Sequence, residues 1–225
     1  MNPVARRILF HLLAILICAS GAALAATAPG LLCDQAASVA AQDTGVPIDI
    51  LLAISRVESG RATDGALAPW PWTINADGTG RFYETKAEAV AAAEAHLTDG
   101  TGTFDIGCFQ LNIRWHGQAF STFEDMFDPE NNAEYAARFL ISLYEEAGTW
   151  AGAVQAYHSR TPELAQAYLD RVKAVLETPG ATDLPPLVPM VRENNFPLLQ
   201  AGAQGGFGSV VPMVQARGPL IGGSS

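Results

Sequence analysis

The segment Pro47–Gly60, PIDILLAISRVESG, limits the fold more tightly than any other stretch of the chain. It reads as a helix that Pro47 opens, at the first helical position, where a missing N–H costs nothing. Gly60 is expected to stop it in a left-handed cap. Leu51, Ile54, Ser55 and Glu58 then share one face at three- and four-residue spacing, and that face is the apolar one. A carboxylic acid therefore continues a buried stripe. Desolvation disfavours its charged form and raises its pKa, which suits a general acid working near neutral pH. The plainer alternative is a glutamate at the solvated rim of a helix end. This helix alone favours that alternative; the rest of the chain reverses the balance.

Arg6 and Arg7 precede an apolar run, Ile8 to Cys18, and Ala23-Leu24-Ala25 supplies small residues for cleavage. Residues 1–25 read as a signal peptide cleaved near Ala25, which places the mature chain in the periplasm. The run is short for a membrane span and is followed by Ser20 and Gly21, so no stable membrane anchor is expected. The arginine pair is too weak to argue for twin-arginine export. Ile17 stands before Cys18 where a lipoprotein site wants a small residue. Loss of residues 1–25 lowers the 13 Lys and Arg to 11 against 23 Asp and Glu, a mature net charge of −12. That argues against nucleic acid and anionic membrane surfaces as partners. A polymer read through neutral sugar hydroxyls stays possible. Cys33 and Cys108 are the two cysteines of the mature chain. An oxidising compartment invites a disulfide between them, tying the mature N-terminus to the middle of the domain; two buried thiols are the alternative.

The remaining pattern is mainly helical. Leu32 to Thr44 reads as an alanine-rich helix closed by Gly45. Residues 61–84 read as irregular apart from a small hairpin, Trp72–Asn75 against Arg81–Tyr83 around Asp77-Gly78. Thr85-Lys-Ala-Glu88 is a capping box that opens a helix ending near Gly100. Residues 101–115 read as a loop. Asp128-Pro129 opens the longest helix, to Gly148, with Tyr135, Phe139, Leu140 and Leu143 on its inner face. Thr149 caps a helix through Tyr157, and Thr161-Pro162 opens the last, with Leu164, Tyr168, Val172 and Val175 along it. The domain is expected to span 26–177. Residues 178–225 shift to proline, glycine and few charges, and Pro189-Met-Val191 recurs as Pro212-Met-Val214. They read as a mostly disordered tail. Either it is a plain spacer, or its apolar residues, Leu187, Val188, Met190, Phe196, Leu198 and Leu199, make it a docking segment for a protein partner.

Three short motifs follow one another: Glu58-Ser59-Gly60, Gly107-Cys-Phe-Gln110-Leu-Asn112 and Ala156-Tyr157-His158-Ser159. Together they resemble the catalytic domain of the soluble-type lytic transglycosylases, relatives of goose-type lysozyme. The resemblance covers roughly residues 32–177. It implies a lysozyme-like fold, mainly α with a small β-hairpin insertion, and a groove for peptidoglycan glycan strands. It implies cleavage of the β-1,4 bond between N-acetylmuramic acid and N-acetylglucosamine, with Glu58 as acid and then as base, closing a 1,6-anhydro ring without water. Gln110 and Asn112 would line the groove, where amides both donate and accept; their alternative is to hold the loop's own backbone. Ser59 and Tyr157 match the family's serine and tyrosine beside the acid. A core tyrosine is the alternative for Tyr157.

Three features depart from the family pattern. Cys108 replaces a leucine, which fits an added disulfide. His158 and Ser159 replace Asn-Ala; a histidine there would disturb the acid if charged, or stack on a sugar. The long interval from Gly60 to Gly107 carries Trp70, Trp72, Phe82 and Tyr83. They are either a sugar-stacking wall or the core of a packed lid, the latter preferred for at least two of them. Asp105 would cap the turn before Gly107. No cofactor is expected, and His96 and His116 have no metal-ligand spacing, so no metal site either. Two other readings remain: a hydrolytic muramidase using Asp105 or Asp64 as base, and an inactive glycan-binding scaffold. An envelope-spanning machine, such as a flagellum or a secretion apparatus, is a reasonable client for the tail.

Overall fold

A computed structural model describes residues 29–63, 66–100 and 102–184. The signal-peptide segment, Asp64 and nearly all of the tail lie outside the described residues. Eight α-helices occur among those described: α1 (Pro29–Thr44), α2 (Ile48–Ser59), α3 (Lys86–Thr98), α4 (Ile113–His116), α5 (Phe123–Met126), α6 (Pro129–Ala147), α7 (Trp150–His158) and α8 (Pro162–Leu176). With them come six short strands, β1 (Gly60–Thr63), β2 (Ala66–Pro69), β3 (Thr73–Ala76), β4 (Thr79–Phe82), β5 (Phe104–Ile106) and β6 (Leu111–Asn112). The fold is mainly α and lysozyme-like, as expected.

Alanine makes the close packing possible. Ala36, Ala37 and Ala40 of α1 are buried, as are Ala133, Ala136 and Ala137 of α6, and these two helices pack together. Small side chains let two backbones approach closely. α2 is held between α1 and α8, and α8 also packs on α7. A buried ion pair adds register: Arg56 of α2 grips Asp34 of α1 with two N–H···O bonds of 2.8 and 3.1 Å. Each partner compensates a charge that would otherwise cost several kcal/mol in the interior.

Local signals set most helix ends. Thr85 and Glu88 form the expected capping box, and Asp128 caps α6 through the N–H groups of Glu130 and Asn131. Two expectations at α2 need correction. Pro47 is extended, with φ −56° and ψ 124°, and is the N-cap, so Ile48 is the first helical residue. Gly60 is also extended (φ −62°), not left-handed. Its glycine answers to close approach: a Cβ there would lie 2.1 Å from the Arg56 carbonyl oxygen and 2.7 Å from Leu67 Cγ. The chain leaves α2 directly into β1, which pairs antiparallel with β2, so the stretch expected to be irregular contains a second hairpin.

The expected hairpin is part of a larger sheet. β3 and β4 join through Asp77-Gly78, both at positive φ, a turn that matches strand twist. Residues 101–115, expected to form a loop, supply β5 and β6, giving the order β4-β3-β5-β6. Those two strands are only three and two residues long, too short for a sequence period to show.

Candidate active site

The sheet register builds one side of a cleft. Asn75 of β3 lies opposite Asp105 of β5, which lies opposite Asn112 of β6. The next row, Ile74, Ile106 and Leu111, is at most 1% exposed. Successive side chains alternate between faces, so burying the isoleucine row turns the polar row toward the cleft. Asn75, Asp105 and Asn112 line it, with Gln110 and Leu111 beside them. Trp115 and His116 of α4, Phe139 of α6, and Tyr157 and His158 of α7 form the remainder. Glu58, in the last turn of α2, completes a cavity of about 330 Å³.

Glu58 is a perturbed acid. Burial raises its pKa from 4.5 to about 7, and the negative field of Asp105 adds to the rise. Tyr168 and Arg171 of α8 act in the opposite direction. The Tyr168 hydroxyl favours the Glu58 anion, yet it closes no hydrogen bond of ordinary geometry. At neutral pH the acid is thus present in both protonation states. Tyr168 went unrecognised as a site residue because, in sequence, it is one more apolar-face position of a helix. Packing of α8 on α2 brings it to the carboxyl.

The loop between β5 and β6 is tightly determined. Gly107 has φ 86°, and a Cβ would stand 2.6 Å from Asn132 Nδ2. Asn132, fully buried on α6, accepts from Phe109 N–H at 2.9 Å and donates to the Ile106 and Met126 carbonyls. A disulfide joins Cys33 to Cys108, with Cα atoms 5.7 Å apart, fastening the same loop to α1. Gln110 adopts φ 47°, a left-handed conformation rare for a side-chain-bearing residue and frequent at functional sites. Its Nε2 donates to the Thr73 and Gly107 carbonyls, which leaves Oε1 buried and without a partner. Asn75 Oδ1 is likewise buried and unpartnered. Both amides line the cleft.

The structure separates the expected site residues by task. Gln110, Asn112, Tyr157 and His158 line the cleft with Glu58. Ser59 does not: it is 1% exposed, and its hydroxyl donates toward the Ser55 and Cys108 carbonyls at 3.0 and 2.8 Å and accepts from Trp70 N–H. It fastens the end of α2 to the β5–β6 loop. Asn112 serves the scaffold as well, donating to Asp105 at 2.7 Å and accepting from Thr103 Oγ1 and Arg114 N–H. Asp105 thereby belongs to the cleft, beyond the turn-capping role expected of it. The Tyr157 hydroxyl donates to the Phe109 carbonyl at 2.8 Å. Burial and the nearby Glu58 push its pKa well up, so it stays a phenol.

His158 stacks on Tyr168, with ring centroids 4.6 Å apart and planes 3° from parallel. Burial and then Arg171 hold its pKa below the ordinary value, so it is neutral at neutral pH and does not oppose Glu58 protonation. His116, which no motif marked, bonds Tyr135 Oη at 3.0 Å in the cleft wall. The four lid aromatics are absent from the cleft lining. Trp70 donates to the Tyr83 carbonyl at 2.6 Å, meets Trp72 edge-on and carries the Arg61 guanidinium over its ring, as a packed lid core does. No group of three or more His, Cys, Asp or Glu able to hold a metal occurs among the described residues.

A helical domain with a small sheet and a perturbed glutamic acid in a cleft of amides and aromatics defines the lysozyme-like class of glycan-cleaving proteins. Residues 35–168 match the transglycosylase SLT domain, and the chain belongs to that family, the lytic transglycosylases of peptidoglycan. No curated protein and no solved structure matches the chain. Among the described residues no helix is long and apolar enough to cross a membrane.

Proposed function

We propose that this chain cleaves the β-1,4 bond between N-acetylmuramic acid and N-acetylglucosamine by a single-carboxyl transglycosylation. Protonated Glu58 donates its proton to the glycosidic oxygen as the C1–O bond breaks. The C6 hydroxyl of the muramic residue then attacks C1, and the Glu58 carboxylate accepts that hydroxyl proton. A 1,6-anhydro ring closes, no water is consumed, and the acid is regenerated. What supports this reading is Glu58, buried with its pKa raised to about 7, in a cleft lined mostly by amides and aromatic rings with Asp105 as the other carboxyl. One group can then serve as donor and acceptor at the same pH.

Asp105 favours one alternative, because it shares the cleft. As a general base it would activate water and make the protein a hydrolytic muramidase, the usual two-carboxyl arrangement. Against that role, its carboxylate is engaged by Asn112. Mass spectrometry of digested murein separates the two: 1,6-anhydromuropeptides, one water lighter, are expected, and reducing-end products alone would establish hydrolysis. Binding of murein without any products would leave an inactive scaffold. The mature chain acts in the periplasm, where its substrate lies, and residues 178–225 serve docking to an envelope-spanning machine. Their apolar clusters and repeated Pro-Met-Val support that role.

A further inference from the structure

None of the three motifs uses Trp115. It stands on α4, directly after the strand that carries Leu111 and Asn112, and lines the same cleft as Glu58. Its surface is 72% exposed, the highest value among the exposed large hydrophobic residues described. An indole in water adds nothing to the core, and its place in the cleft lining beside Glu58 puts its ring within reach of a ligand there.

The ring is held ready. The Arg114 guanidinium lies 5.1 Å from the ring centroid and covers one face. Asn112 caps α4 by accepting from Arg114 N–H at 3.0 Å while its other amide atom holds Asp105 at 2.7 Å. The Trp115–Arg114 pair is therefore built on the backbone that positions the cleft amides. Arg56, Arg61, Arg138 and Arg160 each pair with a carboxylate. Arg114, Arg81 and Arg171 have no such partner among the described residues, and of these three Arg114 is the one next in sequence to a residue of the cleft lining. A cation without an acid, at the edge of a cleft that already holds Glu58 and Asp105, suits an anionic group on the substrate.

We propose that Trp115 and Arg114 form a rim subsite for a peptide-bearing muramic residue. The open face of the indole stacks on a pyranose ring, and the guanidinium pairs with a carboxylate of the peptide attached to that sugar. The inference rests on the murein reading of the cleft and names which part of the polymer the rim selects. C–H bonds of the sugar meet the negative ring face, and the guanidinium fork matches a carboxylate.

The test compares KM and kcat on peptide-bearing glycan strands with those on strands stripped of peptide by an amidase. Binding of peptide-free tetra-N-acetylchitotetraose is measured alongside by calorimetry. Trp115→Ala is expected to raise KM about tenfold on both strands and to weaken tetrasaccharide binding about as much, with kcat little changed. Trp115→Phe, which keeps a smaller ring, is expected to fall between it and wild type and covers a failure of the alanine variant to fold. Arg114→Gln is expected to raise KM about three- to fivefold on peptide-bearing strands only. Unchanged KM and tetrasaccharide affinity in Trp115→Ala and Trp115→Phe overturn the stacking role. An Arg114→Gln effect that is nil, or equal on both strands, overturns the peptide role. A wild-type chain that turns over no murein defeats the proposed reaction instead, and tetrasaccharide binding then still decides Trp115.

Discussion

Glu58 carries two opposed consequences of one environment. Its pKa in the folded chain, about 7, lies above the ordinary 4.5. Between those values the folded state binds more proton than the unfolded one, so this group's contribution to stability falls as pH rises through that window. Below pH 4.5 both states are protonated and the group is at its least costly; above pH 7 the full penalty of a buried carboxylate is in place. Glu58→Gln is expected to be more stable than wild type above pH 7, by about 1–3 kcal/mol, with no such gain below pH 4.5. Urea unfolding at several pH values reads this directly. The same substitution should lower turnover on murein by roughly a hundred- to ten-thousandfold, since one carboxyl serves both proton transfers. A variant that retains a third of the activity would show that another residue is the acid. In wild type, turnover should fall above about pH 7 as the acid is lost. An additional acid limb would point to Asp105 as a second participant, because burial raises its pKa too.

At the scale of elements, the β5–β6 loop is where structure and chemistry meet. Ties from four helices hold it: Asn132 from α6, the disulfide to α1, Ser59 at the end of α2 and the Tyr157 hydroxyl of α7. Asn132→Leu keeps the volume but strands one N–H and two carbonyls in the interior. The expected cost is roughly 3 kcal/mol or more, together with a drop in turnover, measured by denaturant unfolding and by murein digestion. The disulfide closes a span of 75 residues. The chain-entropy account assigns such a span about 4 kcal/mol. Cys108→Ser is therefore expected to lose about 2–4 kcal/mol, with the melting temperature of wild type falling in reductant and that of the variant not responding. Both cysteines are at most 1% exposed, so thiol labelling of reduced protein should require unfolding.

For the whole molecule, every buried hydrophobic residue among those described falls between Cys33 and Val172. The family match, 35–168, covers nearly the same span. Truncation after Glu177 is accordingly expected to leave the melting temperature within a few degrees of the full chain and to preserve murein cleavage in solution, while impairing a partner-dependent activity in the cell. Loss of folding on truncation would mean that Leu187, Phe196 and Leu199 belong to the core.

Near neighbours in sequence announce themselves through local chemistry, and those features were legible in advance. The caps at Thr85 and Asp128, the stripe ending at Glu58, the three motifs and the two cysteines all depend on residues a few positions apart, or on residue type alone. What the tertiary structure decided depends on which distant segments meet. The row Asn75–Asp105–Asn112 exists only through strand pairing between segments too short to show a period. Tyr168 reaches Glu58 only because α8 packs on α2. Ser59 reads as a groove residue in its motif and is instead consumed by the Cys108 carbonyl, and Trp70 turns inward to a backbone carbonyl while Trp115 stays in water. A hydroxyl, an amide or an indole offers the same donors and faces wherever it lands. Its task is set by the partner that folding places beside it, and that partner is fixed by long-range packing.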